Sequence, residues 1–120
     1  MGEVRLTIQV KSLSANGAPS EPVEVLADTG ATLTLLPSTV LHRAGIQPED
    51  RVSVQLADGR IADRQVVNAR VTGEGHSVPV RVMFGEPTDS ALLGLTVLEQ
   101  LGLAVDPVSP RLIPAKFILY

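Results

Sequence analysis

Apolar and polar residues alternate through Val4, Leu6, Ile8 and Val10, the two-residue period of a half-buried β-strand. Asn16 to Pro22 is rich in turn formers. A second strand is expected over Val23–Ala27, running straight into Asp28-Thr29-Gly30, and apolar residues resume at Leu33, Leu35 and Leu36. Two apolar strands thus flank a tight polar turn. Pro37 and Ser38 break the pattern, with Ser38 a cap for a short helix reaching Ala44 and Gly45 fitting just past its end.

Downstream, Val52, Val54 and Leu56 alternate up to Asp58-Gly59, and apolar residues return at Ile61, Val66 and Val67. Asp-Gly between alternating strands predicts a hairpin. A second hairpin is expected to join Val67–Val71 to Val78–Phe84 through Gly73-Glu74-Gly75, followed by a loop over Gly85–Ser90. Ala91-Leu92-Leu93-Gly94 then precedes Thr96-Val97-Leu98-Glu99, where threonine and glutamate three apart suggest a capping box for a second short helix closed by Gly102. Asp106-Pro107 and Ser109-Pro110 indicate a last turn, and Arg111-Leu112-Ile113 a terminal strand. The pattern predicts an all-β fold, mainly strands with two short helices, in a single domain over residues 1–120.

Composition narrows the chemistry. Hydrophobic residues make up 44% of the 120 positions but aromatic residues only 2%, so the core is built from Val, Leu, Ile and Ala, which suits a sheet. A chain of this length holds one core and not two lobes. The net charge of -3 and the shortage of rings offer no basic stripe or stacking platform, so nucleic acid is not an expected partner. The absence of cysteine excludes disulfides, thiol nucleophiles and iron–sulfur clusters. No run of about 18 apolar residues is long enough to span a bilayer, and no basic start leads into an apolar run. The chain is therefore expected to be soluble and cytoplasmic, with no membrane partner.

The most informative motif is Asp28-Thr29-Gly30-Ala31 at the end of an apolar strand. Alone it is weak, because an aspartate before Thr-Gly often only caps its own turn. The order matters more: later in the chain Leu92-Leu93-Gly94 supplies a second apolar strand ending in glycine. With both signatures, and with the Ala57-Asp58-Gly59-Arg60 hairpin between them, the chain resembles the retropepsin-like aspartic peptidases, in particular the small bacterial and archaeal single-domain members.

The resemblance implies a closed, barrel-like half of a two-fold homodimer. Each subunit contributes one aspartate, and the matching residue here is Asp28. Thr29, Gly30 and Ala31 would support the catalytic loop, with the Thr29 hydroxyl bonding across the two-fold axis. Leu93 and Gly94 would pack behind that loop, and Ala57, Asp58, Gly59 and Arg60 would form the tip of a substrate-binding flap. The partners implied are a second copy and a peptide or protein substrate; no cofactor and no metal is needed. Hydrolysis of an amide then requires a base to activate water and an acid to protonate nitrogen. Two carboxylates about 3 Å apart cannot both ionise, so they share one proton and supply both roles.

The chain also departs from the retroviral pattern. Retroviral members carry an aspartate after the Asp-Thr-Gly-Ala run and an arginine after the second glycine, which brace the site as an ion pair. Thr32 and Leu95 stand there instead, so the bracing is expected to come from packing. The flap tip is polar where retroviral flaps are glycine-rich and apolar. Ala31 offers no hydroxyl to the catalytic carboxylate, which predicts activity extending toward near-neutral pH.

Other candidates carry less. Asp106 precedes Pro107 and reads as a turn residue, Asp58 and Asp63 as solvated hairpin residues, and His42 as exposed on its helix. His42 and His76 have no metal-ligand spacing. An endopeptidase is the leading reading. A catalytically silent dimeric peptide-binding module is the alternative, and a fragment of a larger assembly a third; Asp28-Thr29-Gly30, being intact, favours the first.

Overall fold

A computed structural model describes residues 3–14, 16–56 and 58–115. Nine strands and two short helices are present among them. The order is β1 (Arg5–Ser12), β2 (Val23–Asp28), β3 (Thr34–Pro37), α1 (Ser38–Arg43), β4 (Asp50–Gln55), β5 (Ile61–Gly73), β6 (His76–Gly85), β7 (Leu92–Gly94), α2 (Leu95–Gln100), β8 (Leu103–Val105) and β9 (Leu112–Pro114). Residues 116–120 and Ala57 lie outside the described residues.

Alternation in β1 places Leu6, Ile8 and Val10 inside, where they meet Val23 and Val25 of β2 and Val71 of β5. Residues of opposite parity on β1 face outward. The main sheet runs β1-β2-β7-β3-β6-β5-β4, and β1 also pairs with β5 through Val10↔Val71. Six strands thereby close into a ring, and β4 extends from it as an arm of β5. The ring is filled by aliphatic side chains such as Ile8, Val25, Leu36, Val82 and Leu93, with Leu98 and Leu101 of the second helix region closing one end. Each such side chain contributes about 1.5–3 kcal/mol by leaving water.

Both hairpins occur where the turn residues place them. Val71 pairs with Val78 and Gly73 with His76, joined by Glu74 and Gly75 with φ of 51° and 79°. Two successive positive φ values define the turn type that matches strand twist, and glycine carries the second without penalty. At the other hairpin Gln55 pairs with Ile61, the Leu56 N–H donates to Arg60 O at 2.7 Å, and Gly59 takes φ 88°. β5 is one continuous strand serving both hairpins.

Neither helix is capped as expected. α1 begins after Pro37, and the Ser38 hydroxyl donates to Gly85 O at 2.7 Å, tying the helix start to the end of β6. At α2 the N-cap is Gly94, so Thr96 and Glu99 form no capping box and both are exposed. The helix starts earlier because the Leu95 N–H is already taken by Ala31 O at 3.0 Å. Gly45 and Gly102 do end the helices, with φ of 75° and 76°. No helix among the described residues is long and apolar enough to cross a membrane.

A buried-edge ion pair fixes the loop that delivers β7. Arg64, 15% exposed, donates to Asp89 at 2.8 Å, and the same carboxylate accepts the Glu86 N–H at 2.8 Å. Partial burial works against the Asp89 charge, but the Glu86 N–H and Arg64 outweigh it and hold the carboxyl below its usual 3.8. A depressed folded value means that this stabilisation is complete above the unfolded value and is lost as pH falls through the folded one. Asp89→Asn should therefore cost about 1–3 kcal/mol at pH 7. In urea titrations the gap between variant and parent should close as pH drops below the ordinary carboxylate range; a gap independent of pH would contradict this.

Candidate active site

Asp28 is the last residue of β2, half-buried, where the chain leaves the ring. The turn is closed by the Ala31 N–H donating to Asp28 O at 3.1 Å, while the Gly30 N–H donates to Asp28 Oδ1 at 2.9 Å. That second bond is what a turn-capping aspartate would make, and it engages only one carboxylate oxygen. Thr29 and Gly30 are exposed beside it.

The strand alongside comes from far along the chain. β7 inserts between β2 and β3, parallel to β2 in the register Leu26↔Leu92, Ala27↔Leu93 and Asp28↔Gly94. Gly94 is therefore the direct neighbour of Asp28. Only glycine fits there: a Cβ would stand 2.9 Å from Leu33 O and 3.0 Å from Ala31 O. Leu93 is fully buried.

Thr34 completes this junction. Its buried hydroxyl accepts the Gly94 N–H at 3.1 Å, tying β3 to β7 directly behind the Asp28 turn. The sequence reading passed over Thr34; a lone hydroxyl inside the apolar run Leu33–Leu36 was the available signal. Together with the bond from Leu95 to Ala31 O, this is the bracing of the loop. Packing of Leu95 is not: its side chain is 40% exposed. Within one chain the bracing therefore comes from these hydrogen bonds and from the close approach of Gly94 to the Leu33 and Ala31 carbonyls.

The β4–β5 hairpin faces this turn. Val54 of β4 lines one cavity of about 290 Å³ with Gly30, Ala31, Leu35, Met83 and Leu92. At the tip, Asp58 accepts the Arg60 backbone N–H at 3.0 Å and pairs with its guanidinium at 2.6 Å, and Asp58, Gly59 and Arg60 are exposed. Ala57 was assigned to this tip but lies outside the described residues. Asp28 itself lines a second cavity, of about 320 Å³, with Glu3, Val4, Leu26, Thr29, Leu92 and Val105.

The remaining candidates stay apart from the site. Asp106 accepts the Val108 N–H at 2.8 Å and the Arg111 guanidinium at 2.9 Å, which lower its pKa, so it is a turn residue. His42 is exposed and lies against Phe84 with ring centroids 5.5 Å apart.

A mostly β domain in which an Asp-Thr-Gly turn lies against a second apolar strand ending in glycine has the layout of a retropepsin-like aspartyl protease domain. The family model described as "gag-polyprotein putative aspartyl protease" matches residues 12–100, and the chain belongs to that family. The matched stretch holds the Asp28 turn, the β4–β5 hairpin, β7 and α2, and leaves β8 and β9 outside. No curated protein matches the chain.

Proposed function

We propose that the chain is an endopeptidase whose active site assembles from two copies, with the two Asp28 carboxylates sharing a proton and activating a water between them. The observation that carries this reading is Asp28 itself: a half-buried carboxylate on a braced turn, in register with Gly94, on a turn whose Gly30 and Ala31 line a cavity with Val54 of the β4–β5 hairpin. The chain has a single Asp-Thr-Gly, so one copy holds half of a dyad.

In this mechanism one carboxylate takes a proton from water as it attacks the scissile carbonyl while the other, protonated, donates its proton to the developing oxyanion; the first then passes the proton it took from water to the leaving nitrogen, and the second recovers one from the diol as the C–N bond breaks. Thr29 and Gly30 bring the two turns together, and Ala31 lines the cleft. Asp58, Gly59 and Arg60 cover an extended peptide, whose backbone bonds to the hairpin supply much of the affinity.

Concentration dependence is the expected signature. Specific activity on a diverse peptide library should fall on dilution in step with the dimer fraction measured by sedimentation. A monomer retaining full activity would refute the two-copy site.

A further inference from the structure

We infer that Lys11, Arg70 and Arg81, on the outward face of β1, β5 and β6, together with the cavity beside them, dock an acidic peptide segment that carries aliphatic side chains. Assigning that segment to the substrate, away from the scissile bond, rests on the endopeptidase reading above; the docking face itself is read from the chain alone.

The three cations are far apart in sequence, and strand pairing gathers them. Lys11 stands opposite Arg70, Arg70 opposite Pro79, and Asn68 opposite Arg81. Val10, Ala69, Val71, Val80 and Val82 are buried, so the residues that alternate with them share the outward face. Directly opposed side chains on a sheet have Cβ atoms about 4.5–5.5 Å apart, and like charges there cost stability. No carboxylate offsets this cost. Among the described residues Lys11, Arg70 and Arg81 form no ion pair, whereas Arg5, Arg43, Arg60, Arg64 and Arg111 each hold a carboxylate partner. Glu49 reaches the edge of this face, but its carboxylate accepts the Asn68 N–H at 2.7 Å. A cluster of unpaired cations in a chain of net charge -3 is complementary to an anion from outside.

The cavity narrows the chemistry of that anion. It measures about 410 Å³ and is lined by Leu13, Leu33, Pro79 and Val97 together with Asn68 and Arg81. Leu13 and Leu33 are 49% and 36% exposed, so apolar surface stands open beside the charge. An acidic and an aliphatic residue of one peptide satisfy both. Nucleic acid fits less well, because the face carries no Phe, Tyr or Trp on which a base could stack, and an apolar recess offers a phosphate nothing. Thr32 and Leu33 also line the cavity that Val54 of the β4–β5 hairpin shares with Gly30 and Ala31. The two cavities have a common wall, so a peptide docked at Arg81 is led toward the Asp28 turn.

The test is fluorescence anisotropy on full chains carrying Asp28→Asn, so that no probe is cleaved. The probes are a labelled peptide alternating glutamate and leucine, its lysine–leucine and glutamate–serine counterparts, and a single-stranded oligonucleotide. The glutamate–leucine peptide should bind tightest. Arg70→Gln and Arg81→Gln should each weaken it about tenfold, added salt should weaken it further, and Leu13→Ser should weaken it without changing its salt dependence. Arg51→Gln, which removes an unpaired cation of β4 outside this face, should leave binding unchanged. In the free chain, added salt should raise the thermal midpoint of the parent more than that of Arg70→Gln, because only the parent holds the opposed Lys11–Arg70 charges. Absent binding, equal binding of the lysine–leucine peptide, or indifference to Arg70→Gln and Arg81→Gln overturns the inference. Preferred binding of the oligonucleotide, lost in the same variants, overturns it in favour of nucleic acid. A parent chain that binds the acidic peptide through this face but cleaves no peptide overturns the endopeptidase reading and leaves the docking face standing.

Discussion

Replacing Asp28 by asparagine should abolish peptide hydrolysis while leaving the fold and the dimer intact. Asparagine keeps the shape of the side chain, and its Oδ1 still accepts the Gly30 N–H that shapes the turn. What disappears is the ionisable oxygen, and with it both the base and the shared proton. In the proposed two-copy site the substitution is present twice, so acid and base are lost together, and turnover should fall by about 10⁴-fold or more. Asp106→Asn is the matched control, since its carboxylate serves only the β8–β9 loop. Its kcat should be close to the parent's. Equal losses from both variants, with folding preserved, would remove Asp28 from its assigned role.

The second large effect is expected at Gly94. In Gly94→Ala the new Cβ meets two backbone carbonyls, Leu33 O at 2.9 Å and Ala31 O at 3.0 Å, and neither can move without shifting the turn that carries Asp28. Overpacking of this kind costs about 1–3 kcal/mol in stability. Activity should suffer more, because a displacement near 1 Å at a reacting group can cost about 10²-fold. Thr34→Val, which removes the acceptor of the Gly94 N–H, should act in the same direction. Gly30→Ala gives the contrast: within one chain its Cβ meets only Asp28 Oδ1 at 3.4 Å, an ordinary contact. Stability of the single chain should survive it, and any loss falls on the assembled site. Urea denaturation and kcat/KM, measured on the same preparations, separate the two effects; a Gly94→Ala enzyme as stable and active as the parent would contradict the packing argument.

Much of this arrangement was legible because its signals are local. The period of two in Val4–Val10, Asp58-Gly59 and Gly73-Glu74-Gly75 each act over a few residues, and both hairpins and β1 follow from them. Asp28 beside Gly94 was legible only by resemblance, since the parallel pairing of β2 with β7 joins segments far apart in sequence. The misses share a cause. Ser38 and the Thr96–Glu99 pair look like caps in isolation, yet the Ser38 hydroxyl donates to Gly85 O instead, and α2 has already begun at Leu95, whose N–H donates to Ala31 O. Thr34 was hidden in an apolar run. β8 was missed because Leu103-Ala104-Val105 is too short to show a period, and its strand character comes from pairing with β9.

The central claim is that two copies share one site, and mixing measures it directly. Parent chains and Asp28→Asn chains are combined at fixed total concentration, allowed to exchange, and assayed on a peptide substrate. If one active dimer needs two intact Asp28 residues, activity falls as the square of the parent fraction, leaving about one quarter in an equal mixture. A linear fall to about one half in the same mixture would mean that each chain works alone, and the shared dyad would be wrong.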